Sequence, residues 1–107
     1  MTANISELTE ATFAEHVAHG VVLADFWAPW CGPCHMQTPI LESLAQKSEA
    51  PVSIAKVDVD ANPALAEQLG VQSIPTLVLF RDGQEVQRFV GVQSEDTLAR
   101  AIEQVQS

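Results

Sequence analysis

Between Gly20 and Ala28 the chain reads Val21-Val22-Leu23-Ala24-Asp25-Phe26-Trp27, apolar at every position but Asp25. A run this short and this apolar fits a parallel strand covered on both faces. Its flanks read as helices. Thr9 is placed to cap an amphipathic helix over about 10–18, with Phe13 and Val17 at i and i+4 and Gly20 as its stop. From Gly32 to about Lys47 the period is again helical, with Met36, Ile40, Leu41, Leu44 and Ala45 on one stripe. Pro33 is tolerable in a first turn; Pro39 is not in one and predicts a kink.

The rest of the chain repeats the alternation. Residues 3–6 fit a short edge strand, and Val52 to Val59 a third strand. Asn62-Pro63 reads as a helix start and Gly70 as its end. Thr76 to Phe80 is a fourth strand, and Asp82-Gly83 a tight turn into a fifth over about 85–90. Ser94 caps a last helix with Glu95 and Asp96 in its first turn and Leu98, Ala101, Ile102 and Val105 on its apolar face. The order β-α-β-α-β-α-β-β-α implies a mostly parallel sheet with helices on both faces and one antiparallel hairpin at the end.

Composition narrows the function classes. At 107 residues with 47% hydrophobic content, one domain spanning 1–107 is expected, with a single core and no span long enough for a membrane helix. Fourteen acidic against five basic residues give a net charge of −9, which excludes an electrostatic footprint for nucleic acid or anionic lipid. The start, MTANISELTEATFAEH, has neither a basic n-region nor an apolar h-region, so a cytoplasmic protein is expected.

In α/β sheets, ligand sites lie beyond the carboxyl ends of the strands. The segment after Trp27 is Ala28-Pro29-Trp30-Cys31-Gly32-Pro33-Cys34, and it holds both cysteines of the chain. A bridge between residues so close in sequence would barely constrain the unfolded chain. A zinc site needs about four ligands, and beyond the pair only His16, His19 and His35 are imidazoles. Inert buried thiols are a third reading. A C-x-x-C beside a βαβ pattern points instead to redox chemistry. Cys31 opens a helix, where free N–H groups and the macrodipole favour a thiolate. Cys34, one turn further in, is expected to be more buried. That asymmetry suits a two-step cycle, with Cys31 attacking a substrate disulfide and Cys34 resolving the mixed disulfide.

The stretch Asp25 to Cys34 resembles the active-site stretch of the thioredoxin family. The resemblance extends through Lys56-Val57-Asp58-Val59-Asp60, Asn62-Pro63, Ile74-Pro75-Thr76 and Gly91. It implies the thioredoxin fold, a central mixed five-stranded sheet flanked by four helices. It also implies a protein-disulfide reductase with no bound cofactor, re-reduced by thioredoxin reductase, a flavoenzyme that carries FAD and uses NADPH. No metal is implied, and the expected state is a monomer.

Asp25 stands out without the resemblance, because a carboxylate within an apolar strand must be protonated, hydrated or paired. By resemblance it is the buried acid that takes the proton of Cys34. The alternative is an ion pair with Lys56, and both can hold. Ile74-Pro75-Thr76 resembles the family's cis-proline loop, facing the cysteines. Trp30, Gly32, Pro33, Ile74, Pro75 and Gly91 would form an apolar substrate patch around Cys31, with Trp27 packed behind it. His35 departs from the family, where Lys is frequent. It reads as a solvent-facing residue or as a source of pH dependence near neutrality. Two rival functions share the fold, a redox-inactive binding module and an oxidant or isomerase. Gly32-Pro33 between the cysteines resembles the reducing members.

Overall fold

The computed structural model describes residues 5–47 and 52–106. Nine elements follow one another: β1 Ile5–Leu8, α1 Phe13–Val17, β2 Val21–Trp27, α2 Gly32–Lys47, β3 Ser53–Asp58, α3 Pro63–Gln68, β4 Thr76–Arg81, β5 Gln84–Val90 and α4 Glu95–Gln106. The apolar run is β2, and it sits at the centre of a sheet ordered β1-β3-β2-β4-β5. Of the expected edge strand, residues 3 and 4 lie outside the described residues, and β1 runs on to Leu8.

Both faces of β2 are covered, as its composition requires. Val22, Ala24 and Phe26 pack with Phe13 and Val17 of α1 and Leu65 of α3. Leu23 packs on the other face with Leu41 and Leu44 of α2 and with Leu98, Ala101 and Ile102 of α4. Burying a side chain such as Leu23 or Phe26 completely contributes roughly 1.5–3 kcal/mol. Asp25 has the parity of Leu23 and so lies on the α2 side.

The sheet is more evenly mixed than the alternation implied. β1 and β2 pair parallel with β3, but β4 pairs antiparallel with β2 as well as with β5. The connection from Asp58 to Thr76 returns to the end of the sheet where β3 left, so β4 enters from there. The turn into β5 is as expected, with Asp82 and Gly83 both at positive φ, 50° and 86°.

α1 begins later than expected, at Phe13, after a turn over residues 9–12 in which the Thr12 N–H donates to the Thr9 carbonyl at 3.1 Å. α3 begins at Pro63 behind Asn62, as expected, but the Asn62 side chain is engaged elsewhere: its Oδ1 accepts the Glu10 N–H at 2.9 Å. Asn62 is thereby unavailable to cap α3. Glu10 Oε2 replaces it, accepting the N–H groups of Ala64 and Leu65 at 2.9 and 3.4 Å. Ser94 caps α4 as expected, accepting the Thr97 N–H at 3.1 Å. α2 continues through Pro39 as one element.

Candidate active site

β2 ends at Trp27, and a short turn carries the chain into α2. The Cys31 N–H donates to the Ala28 carbonyl at 3.1 Å, and the Cys31 carbonyl accepts from the His35 N–H at 3.3 Å. Cys31 therefore occupies the N-cap position of α2. At an N-cap the side chain receives a free N–H from the first turn, and here sulfur does so: the Cys34 N–H points to Cys31 Sγ at 3.2 Å. Pro33, with no N–H, leaves that donor without a competitor from its own position. An N–H aimed at sulfur at a helix start stabilises negative charge there.

Cys31 and Cys34 are joined as a disulfide, with Cα atoms 5.3 Å apart. Both cysteines are buried, Cys31 4% exposed and Cys34 0%. Cys31 Sγ lies 3.9 Å from the Ile74 carbonyl oxygen. The Ile74–Pro75 bond is cis. The loop before β4 thus faces the disulfide, and the Gly91 N–H donates to the Pro75 carbonyl at 2.8 Å. Trp30, 70% exposed, has its Nε1–H on Asp60 Oδ2 at 2.7 Å. Gly32 and Pro33 are exposed, Ile74 and Gly91 half-buried, and Pro75 buried. Pro75 thus lies beneath the surface on which Trp30, Gly32 and Pro33 are exposed.

Asp25 is 0% exposed, and neither carboxyl oxygen has a hydrogen-bond partner among the described residues. Burial pushes its pKa up to about 7; the Lys56 ammonium opposes this, and Glu7 adds to it. The three charges stand in one row across β1, β3 and β2, since Lys56 pairs in register with both Glu7 and Asp25. Glu7 is likewise raised, chiefly by burial. No contact ion pair joins Lys56 to Asp25. Lys56 Nζ instead donates to Thr38 Oγ1 at 2.8 Å and sits 4.1 Å above the Trp27 ring. Lys56 therefore acts on Asp25 through its field. His35 is exposed, its Nε2–H donating to the Pro29 carbonyl at 2.6 Å, and its ring meets Trp27 edge-on. The only acceptor there is a carbonyl, which fixes Nε2 as the protonated nitrogen.

The α2 stripe holds for Leu41 and Leu44, which are buried, and for Ile40 and Ala45, packed against the same core. Met36 departs from it: it is 64% exposed, and Gln37, 0% exposed, points inward in its place. The spacing Cys34-Gln37-Leu41-Leu44 shows this face once Cys34 is taken as buried. Gln37 and Thr38 were not singled out from the sequence, because both are polar. Among the described residues, no three His, Cys, Asp or Glu side chains converge as metal ligands. No described helix is long and apolar enough to cross a membrane.

A mixed sheet ending in a capped Cys-x-x-Cys, opposed by a cis-proline loop, defines a thiol–disulfide oxidoreductase of thioredoxin fold. The thioredoxin family model matches residues 4–104. Thioredoxin of Chlamydia muridarum (strain MoPn / Nigg) is 54% identical over 96 residues, covering 89% of this chain and 92% of that one. Staphylococcus aureus thioredoxin is 48% identical over 99 residues, covering 92% and 95%. A solved mutant thioredoxin from Halobacterium salinarum NRC-1 superposes with a TM-score of 0.90 at 42% identity, covering 99% of this chain and 94% of that one. The chain belongs to the thioredoxin family and is a protein-disulfide reductase. The redox-inactive alternative finds no support.

Proposed function

We propose that Cys31 is the nucleophile, Cys34 the resolving thiol and Asp25 the buried acid–base of one domain that reduces protein disulfides. The observation that carries this is the N-cap position of Cys31, with the Cys34 N–H on its sulfur and Cys34 buried behind it. The Cys31 thiolate attacks a substrate disulfide, forming one S–S bond and expelling a substrate thiolate. Asp25 takes the proton of Cys34. The Cys34 thiolate then attacks the Cys31 sulfur, closing the Cys31–Cys34 disulfide and releasing the second substrate thiolate. Two electrons have passed to the substrate.

Trp30, Gly32, Pro33, Ile74, Pro75 and Gly91 would receive the substrate, with the Ile74 backbone pairing to an extended segment as in strand addition. Lys56 and Trp27 tune the acid from behind. The electrons would be restored by thioredoxin reductase, whose FAD and NADPH stay with that partner, and the chain would work as a cytoplasmic monomer. Cys34→Ser, reduced and mixed with a disulfide-bonded protein, is expected to accumulate a covalent adduct at Cys31, read by mass spectrometry. An adduct formed equally well by Cys31→Ser would reverse the assignment.

A further inference from the structure

Gln37 lies one helical turn beyond Cys34, fully buried, on the face of α2 that meets the sheet. Both ends of its amide are used, and both on one residue. Oε1 accepts the Gln93 N–H at 2.7 Å, and Nε2 donates to the Gln93 carbonyl at 3.0 Å. This reciprocal pair fixes which end is oxygen. The Gln93 side chain then folds back, with Nε2 donating to the Gly91 and Val90 carbonyls at 3.2 and 3.4 Å. The Gly91 N–H reaches the Pro75 carbonyl, and the preceding Ile74 carbonyl faces Cys31 Sγ.

These contacts close a ring. It runs from the disulfide along α2 to Gln37, across to Gln93, back to Gly91, on to Pro75 and Ile74, and returns to Cys31. The ring joins the three chain segments that surround the disulfide, and Gln37 ties α2 to the Gly91 side of it by hydrogen bonds. Met would match the shape but leave the Gln93 N–H and carbonyl unpaired, an ionised Glu could not donate, and Asn would be one methylene short.

We propose that Gln37 is a positioning residue that fixes the Gly91 segment relative to Cys31, and so favours protein disulfides over small ones. The proposal rests on the substrate-surface reading given above. A small disulfide needs only access to Cys31, whereas a protein must meet all three segments at once. Loosening one segment penalises the protein alone.

The test uses the reduced full chain and stopped-flow tryptophan fluorescence, with insulin and hydroxyethyl disulfide as substrates. Gln37→Met is expected to slow insulin reduction about fivefold, the equivalent of ~1 kcal/mol. Hydroxyethyl disulfide should stay within about twofold. Gln93→Ala, on a half-buried side chain whose loss leaves the backbone pair intact, should shift the same ratio in the same direction by less. Amide hydrogen exchange should show Gln93 and Gly91 losing protection together in Gln37→Met. Equal slowing of both substrates, no change in either, or unchanged Gly91 protection overturns the proposal. Trp30→Ala separates the two layers. If it leaves insulin reduction unaltered, the substrate surface itself is wrong. If it slows insulin while Gln37→Met does not, the surface stands and only the role of Gln37 falls.

Discussion

Replacing Asp25 with Asn should make the oxidised protein markedly more stable at pH 8 and leave it unchanged near pH 4. The magnitude follows from the burial of the carboxyl. Its pKa rises from 3.8 to about 7, roughly three units, each worth about 1.4 kcal/mol. Between pH 4 and pH 7 the native state holds a proton that the unfolded chain has released. Stability therefore falls as pH rises through that window, and it is level above it. The total is about 4 kcal/mol, an upper bound where the ionised group can relax towards water. Asn is close in shape and carries no charge, so it keeps the packing of the protonated acid at every pH. The assay is urea unfolding of both proteins from pH 4 to pH 8. With a slope of roughly 1–3 kcal/mol per molar urea, the midpoints should part by about 1–4 M at pH 8. Glu7, also raised by burial, bends both curves, and because its charge adds to the Asp25 shift the difference between the proteins reports Asp25 together with that coupling. A difference that does not vary with pH refutes the reasoning.

Lys56→Met removes the cation that holds the Asp25 pKa down, so the carboxyl should titrate above its present value of about 7, seen by carbon-13 NMR of the side chain. A downward move would mean that the ammonium is not the opposing charge. Glu10→Ala strips the acceptor from the start of α3 and should cost about 1 kcal/mol in urea unfolding, with Glu10→Gln recovering most of it. Equal losses in the two variants would assign the effect to charge rather than to the cap. Arg88 Nη2 and Nε hold Glu85 at 2.8 and 2.9 Å and keep its carboxyl below the usual range. Arg88→Ala should return Glu85 upward in an NMR titration, and no movement would exclude the pair as the cause.

The parts of the site legible in the sequence are those that one contiguous segment builds. Cys31 as N-cap, Cys34 one turn in, and Asp25 inside an apolar strand all follow from local spacing. What escaped depends on partners far along the chain. Gln37 and Gln93 are 56 residues apart, and each alone reads as a polar surface residue. The α2 stripe was drawn through Met36 because it is apolar, yet the inward face is set by where Cys34 must be buried. Thr9 has the chemistry of a helix cap, but it closes a turn with Thr12, and α1 starts after that turn. The antiparallel entry of β4 was hidden because the order of elements does not say at which end of the sheet a connection returns.

Asp25 and Gln37 form an instructive contrast, since both are polar, both fully buried and both on the α2 side of the sheet. Gln37 satisfies every end of its amide, so its burial carries little penalty and its consequence is geometric. Asp25 satisfies neither oxygen from the protein and is destabilising whenever it is ionised. A leucine would serve the core better at Asp25, as it does at Leu23 two residues earlier. An architectural role therefore cannot account for Asp25. A titratable group poised near neutrality can move a proton at the pH where thiols exchange, and a fully paired amide cannot. The stability lost at Asp25 and the geometry gained at Gln37 thus act on different steps. In the proposed cycle the first would set how fast Cys34 becomes a nucleophile, and the second which disulfides reach Cys31.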